Sequence, residues 1–182
     1  MKYFTPQFWL SMQSPNWERS SKRWNRRFES YKKELSKILP MMASSGREFF
    51  GNPLVLHDGK LTRFEAGDQI AAPTSDYARG YPGSQVRLYV LSDRVQQRCY
   101  VLRYKEVSRI NLSLPGEKIL FPTGSDDFHH WGYDELSLRG SGIFRHEILF
   151  ASGATILIDF QQFSCQKLLP TTRKRAGNNA IP

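Results

Sequence analysis

Several common routes to chemistry are missing from this 182-residue chain. Cysteine is scarce: Cys99 and Cys165 lie far apart and outside any CxxC spacing. That argues against a disulfide framework or a thiolate zinc site and leaves a buried thiol in or beside a strand as the expectation for each. There is no GxSxG elbow, phosphate-binding glycine loop, HExxH pair or dinucleotide fingerprint, and the glycines at 80, 83, 140 and 142 have turn spacings only. No apolar run approaches the ~18 residues of a membrane span. The opening MKYFTPQFWLSM carries a lysine but neither an uninterrupted apolar stretch nor a small-residue cleavage site, so it does not read as a secretory signal, and a cytoplasmic location is expected. Acidic residues are also short in supply. Against 26 Lys and Arg stand 17 Asp and Glu, a formal net charge of +9. Such an excess attracts nucleic acid, anionic lipid or an acidic protein without by itself making a site.

What is present reads as a globular protein. Hydrophobic residues make up 40% and charged residues 24%, both ordinary, while 13% aromatics point to a core built from large rings. The length allows one well-buried core.

The segment Phe144 to Phe160, FRHEILFASGATILIDF, specifies a β-hairpin. With Ala151-Ser152-Gly153 as a three-residue loop closed by a left-handed glycine, Phe150 faces Ala154, Ile148 faces Ile156, His146 faces Ile158 and Phe144 faces Phe160. One face is then apolar apart from His146, and Arg145 opposes Asp159 on the other. A two-residue loop would mix the faces, which a buried sheet forbids.

Upstream, Thr5-Pro6 opens a short helix, and Ser14-Pro15 opens a long one running to about Leu39 before Pro40. Within it Trp17, Trp24, Phe28, Tyr31, Leu35 and Ile38 recur at helical spacing, with Arg19, Lys22, Arg23, Arg26, Lys33 and Lys37 on the opposite side. Met41 to Phe50 adds a short helix, broken or capped at Gly46. Leu54-Leu56 and Leu61-Glu65 read as strands about a His57-to-Lys60 turn, and 67–84 as a long loop. Strands follow at Val86-Leu91, Arg98-Tyr104, Ile110-Leu114 and Tyr133-Leu138, with 119–132 as a connection. Periodicity is lost after Phe163. Residues 171–182 read as a disordered basic tail. The predicted fold class is α+β, an antiparallel β-sheet with the long N-terminal amphipathic helix packed on one face. Residues 1–170 form one domain, helical over 1–50 and mainly β over 54–163. Arginines on strands (Arg87, Arg98, Arg103, Arg145) imply that the other sheet face is partly wet.

Candidate chemistry is thin. Asp126, Asp127, His129 and His130 form the densest group of metal-ligand types, yet adjacent histidines point apart, and a catalytic zinc wants three converging ligands. A solvent-facing turn anchored by Phe128 and Trp131 is the expectation there, with no metal and no cofactor. His57-Asp58 reads as turn chemistry, because Asp58-Gly59 is a strong turn dipeptide. The hairpin register turns His146 toward the core. If buried neutral, it would lose stability on protonation, and its replacement by leucine would leave the fold intact.

MKYFTPQFW, YDELSL and HEILFASGATILIDF together resemble a loose group of small uncharacterised bacterial proteins with a similar aromatic-Thr-Pro helix and closing hairpin. These motifs are structural, and the resemblance carries over no functional residue. Small bacterial α+β proteins of this kind include immunity proteins, which work by binding.

The expectation is therefore a non-enzymatic binding or interaction protein whose partner is an unknown protein or an anionic polymer. The alternatives are a nucleic-acid-associated protein using Arg19, Lys22, Arg23, Arg26, Lys33, Lys37 and the tail Arg173-Lys174-Arg175, and a hydrolase or metal enzyme using 126–130 with His57. A membrane-surface role would need the apolar stripe that the sheet requires as cover.

Overall fold

A computed structural model describes residues 1–12, 17–67, 84–92, 98–114, 128, 130–140 and 142–168, except for the side chains of residues 17 and 18. The first helix, α1 (Pro6–Met12), starts as its sequence dictates. Thr5 Oγ1 accepts the Phe8 N–H at 3.2 Å, and Pro6 takes the first helical position, where a missing N–H costs nothing. The long helix α2 (Trp17–Ile38) is thus the second element, not the first. It passes into a single 3-10 turn, Leu39–Met41, where Pro40 sits. A short helix, α3 (Ser44–Phe50), follows, and Gly46 lies buried inside it rather than ending it. A Cβ at Gly46 would press on Met42 at 3.2 Å, so the glycine serves close packing.

All the described strand pairings are antiparallel, so the fold is α+β. The single sheet of the sequence reading is instead two. One is β1 (Lys60–Gly67), β2 (Gln85–Ser92), β3 (Arg98–Lys105) and β8 (Gln162–Leu168), in the order β1-β2-β3-β8. The other is β4 (Arg109–Ser113), β5 (Trp131–Gly140), β6 (Ile143–Phe150) and β7 (Thr155–Phe160), in the order β4-β7-β6-β5. The chain changes sheet at a bend on Gln161. Phe160 and Phe163 show why: three residues apart on an unbroken strand they would face opposite ways, yet both are buried, with rings 6.0 Å apart. That break also hid β8 from the periodicity, although Phe163 and Cys165 pair with Tyr104 and Leu102 of β3.

Residues 54–56 form no strand. Successive turns close there through Val55 N–H to Asn52 O, His57 N–H to Leu54 O and Gly59 N–H to Leu56 O. Apolar content made the segment look like a strand, but Leu56 is a core residue delivered by a turn.

The β6–β7 hairpin has the register that a three-residue loop imposes: Phe144 with Phe160, Arg145 with Asp159, His146 with Ile158 and Ile148 with Ile156. Phe150 N–H donates to Ala154 O at 2.9 Å, and Gly153 sits at φ 93°. Along β2, Val86, Leu88 and Val90 are buried while the residues between them, Arg87 and Tyr89 included, are half-exposed.

One continuous core joins the layers. It includes Val86, Leu88, Val90 and Leu102 from the first sheet, Leu136, Phe144, Ile148, Ile156 and Ile158 from the second, and Tyr31, Leu35 and Ile38 from α2. Trp24 and Phe28 are only partly buried against it. The N-terminal segment shares their work: the Phe4 ring lies 5.1 Å from Trp24 and 5.2 Å from Tyr133 of β5. Helix α2 meets β5 most directly at Tyr31, whose hydroxyl accepts the Leu136 N–H at 2.8 Å. That N–H points outward from an edge strand, and the tyrosine satisfies it.

Candidate functional site

Arg19, Lys22, Arg23, Arg26, Lys33 and Lys37 are all exposed on α2. At about 100° per residue they fall within an arc of roughly 100°, which holds no carboxylate. Glu29 and Glu34 flank that arc, bonded at 3.0 Å to Lys32 and Lys37 respectively. Lys22, Arg23, Arg26 and Lys33 have no ion-pair partner among the described residues. The row from residue 19 to 37 is roughly 27 Å long at 1.5 Å per residue. Arg27, just off this arc, turns inward: its guanidinium lies over the Phe8 ring at 4.3 Å and donates to Tyr3 O at 2.8 Å. The helix therefore sorts its arginines, one spent on anchoring the N-terminal segment and the rest presented to solvent.

The histidines are placed differently. His146 is fully buried. Its Nε2 lies 3.0 Å from Asp134 Oδ2, its Nδ1 2.8 Å from the Tyr104 hydroxyl, and Trp131 Nε1 donates to Asp134 Oδ1 at 3.1 Å. A neutral ring set between these groups donates from Nε2 to the carboxylate and accepts at Nδ1 from Tyr104. Burial, followed by the Asp134 charge, pushes the Tyr104 phenol well above its ordinary value. Aspartate, histidine and tyrosine in a row resemble a proton relay. Here the row is sealed, with Trp131, Tyr104 and His146 at 0% exposure and Asp134 at 6%, so a substrate cannot reach it. Its work is to tie β3, β5 and β6 together. Sequence reasoning placed His146 in the core but did not foresee Asp134, which alternates with Leu136 and Leu138 on the inward face of β5 opposite Ile148.

His57 is a lock. Its Nδ1 meets Gly132 O at 2.5 Å, and its ring stacks on Tyr133 at 5.2 Å between centroids. Nδ1 donates to that carbonyl, and Asp58 Oδ1 lies 3.7 Å from Nε2. Asp58 takes a positive φ of 65°, and its N–H donates to Trp131 O, while Trp131 N–H donates to Gly59 O. The turn is thereby stitched to the start of β5.

Of the acidic-histidine cluster, Asp126, Asp127 and His129 lie outside the described residues, as do Arg173, Lys174 and Arg175. His130 adopts φ 57°, and its carbonyl accepts the Ala151 N–H. Phe128 is half-buried against Phe150, and Trp131 is completely buried. Among the described residues, no three His, Cys, Asp or Glu side chains are grouped to hold a metal ion. Cys99 and Cys165 are free and half-buried rather than fully buried. Burial pushes the Cys165 thiol to about 12.

A cleft of about 610 Å³ opens between α2 and β5, which sequence reading missed. Ile38, Met41, Leu136 and Leu138 give it apolar walls, and Lys2, Lys37, Arg139 and Glu34 supply charge. Deep in its wall Glu135 accepts three successive backbone N–H groups, from Lys2 at 2.6 Å, Tyr3 at 2.7 Å and Phe4 at 2.5 Å. Burial raises the Glu135 carboxyl, while these three donors pull it down. Met41 and Leu138 are the exposed apolar side chains of this region, at 53% and 39%.

Among the described residues, no helix is long and apolar enough to cross a membrane. Comparison with family models, with curated proteins and with solved structures gave no match to this chain.

Proposed function

We propose that the protein is a non-enzymatic binding protein that docks an acidic surface of a protein partner on the outer face of α2. The observation that carries this reading is the carboxylate-free arc of Arg19, Lys22, Arg23, Arg26, Lys33 and Lys37, four of them without an ion-pair partner among the described residues. Clustered cations of one sign steer association and favour an oppositely charged patch. In this reading α2 covers the β5 side of the sheet with Tyr31, Leu35 and Ile38 and leaves its basic face to the partner. Residues 1–170 act as one unit that holds that face rigid.

Nucleic acid is the second reading, supported by the same row of cations, which suits a line of phosphates. Exposed aromatic rings for stacking on bases are missing from the described surface, where the large exposed apolar side chains are aliphatic. Titrating labelled polyglutamate, duplex DNA and single-stranded DNA in parallel separates the two. The protein reading expects polyglutamate binding at least as tight as either DNA at equal salt, lost on Arg23→Glu with Arg26→Glu. DNA binding tighter by about tenfold or more, and equally lost in that pair, would replace it with the nucleic-acid reading.

A further inference from the structure

The carboxylates lining the α2–β5 cleft are already committed. Glu135 holds three backbone N–H groups, Glu147 pairs with the Met1 ammonium at 2.5 Å, and Glu34 is bonded to Lys37. Arg145 is committed too, donating from Nε and a terminal nitrogen to both oxygens of Asp159 at 2.6 and 2.7 Å. Two cations of the lining remain: Lys2 and Arg139 have no ion-pair partner among the described residues. Lys2 Nζ lies over the Tyr3 ring, 5.0 Å from its centroid, and interacts with the Tyr3 side chain and more weakly with the Glu34 and Glu135 charges. The lining charges without an ion-pair partner among the described residues are thus both positive, beside the apolar surface of Leu138 and Met41.

The backbone supplies a second observation. Among the described strands, in the order β4-β7-β6-β5, β5 is an edge strand. An antiparallel edge strand turns its unpaired N–H and C=O outward at every second residue. Leu136 does so toward Tyr31, and Leu138, two residues on and paired on its other side with Phe144, follows the same phase. The Leu138 N–H and C=O therefore turn outward on the cleft side, where no described residue bonds them. The ladder of β5 stays regular from Tyr133 to Leu138 and shifts register only between Trp131 and Tyr133 and between Leu138 and Gly140, so the outward groups of Leu138 lie at the end of its regular stretch.

We propose that this cleft receives an extended acidic segment of the protein partner, which adds as a short strand beside Leu138. Its carboxylates lie on Lys2 and Arg139, and an aliphatic side chain between them rests on Leu138 and Met41. This is strand addition, in which main-chain hydrogen bonds give affinity and side-chain pockets give selectivity. It rests on the acidic-partner reading of α2 and names the element of the partner that reaches past the helix.

The test uses the full chain and a seven-residue, end-blocked peptide of alternating leucine and aspartate. A copy N-methylated on its central residues keeps the charge and removes main-chain donors. Leu138→Pro removes only the outward N–H of β5, a change that edge strands tolerate. The peptide is expected to lose about tenfold or more in affinity on N-methylation, and likewise in Leu138→Pro and in Arg139→Glu. Polyglutamate binding to the α2 face stays within about twofold in Leu138→Pro. Equal affinity of the N-methylated and parent peptides for the unaltered protein overturns strand addition, whether or not Leu138→Pro folds. Peptide binding that is lost in Arg23→Glu with Arg26→Glu but indifferent to Arg139→Glu overturns the cleft and leaves the helix reading standing. Failure of both peptide and polyglutamate to bind removes both.

Discussion

Tyr104 on β3 and His146 on β6 meet across the core, hydroxyl to Nδ1 at 2.8 Å, so a side-chain hydrogen bond links the two sheets. On its far side His146 reaches Asp134, which Trp131 also supports. The sequence alone suggested that leucine would serve at position 146. The partners reverse that expectation, because leucine would leave the buried Tyr104 phenol without its bond and the buried Asp134 carboxylate with Trp131 alone. His146→Leu is expected to cost about 3 kcal/mol and Tyr104→Phe about 1 kcal/mol in urea unfolding. A His146→Leu variant as stable as the parent would show that the network contributes nothing.

Arg145 and Asp159 form a two-bond ion pair on the opposite face of the same hairpin, with side-chain exposures of 12% and 10%. The Arg145 hydrogen bonds hold the Asp159 carboxyl below its ordinary value, with nearby Arg109 and Arg139 adding to the effect. A depressed carboxylate stabilises the fold above its unfolded pKa, about 3.9, and that contribution is lost as pH falls through the folded value. Stability measured from pH 7 to pH 2 should therefore show a decline below about pH 4 that Arg145→Met largely removes. Parallel pH curves for parent and variant would mean that the pair is not coupled to folding.

Gly59 has no room for a side chain. A Cβ there would lie 2.8 Å from Leu56 O and 3.0 Å from Leu91 O, both backbone atoms that cannot swing aside. Gly59→Ala is expected to lower stability by about 2 kcal/mol, or Tm by roughly 4–8 °C for a chain of this size. Calorimetry checks it; an unchanged Tm would show that the turn relaxes freely.

Glu135 should control the N-terminal segment more than the fold as a whole. Its three acceptor bonds to Lys2, Tyr3 and Phe4 are what pin that strand of chain to β5. In Glu135→Ala the amides of Tyr3 and Phe4 are expected to exchange about tenfold faster or more, with the protection of β6 and β7 amides little changed. Uniform loss of protection would indicate that the segment is part of the cooperative core.

Local pattern accounts for what was legible in the sequence. The β6–β7 register follows from a glycine-closed loop and an alternation of two, and the basic arc of α2 follows from a period of 3.6, so neither needs distant residues. The cleft was invisible because Lys2, Glu34 and Arg139 are far apart along the chain and meet only when α2 lies against β5. Asp134 escaped notice because, although it shares the inward face of Leu136, its partners His146 and Trp131 are brought to it only by the folded sheet. The second sheet was missed at Gln161, where a one-residue bend resets the strand phase and lets Phe160 and Phe163 share a core.

The most direct test of the account compares two double charge reversals of equal net charge. Arg23→Glu with Arg26→Glu alters the arc on α2, while Arg103→Glu with Lys105→Glu alters exposed cations on β3. Binding of labelled polyglutamate is read by anisotropy at about 50 and 300 mM salt. The expected result is that the α2 pair loses about tenfold or more in affinity at low salt and most of the salt dependence, while the β3 pair stays within about threefold of the parent. Equal losses in the two variants would show that net charge alone governs binding and would contradict a docking face on α2.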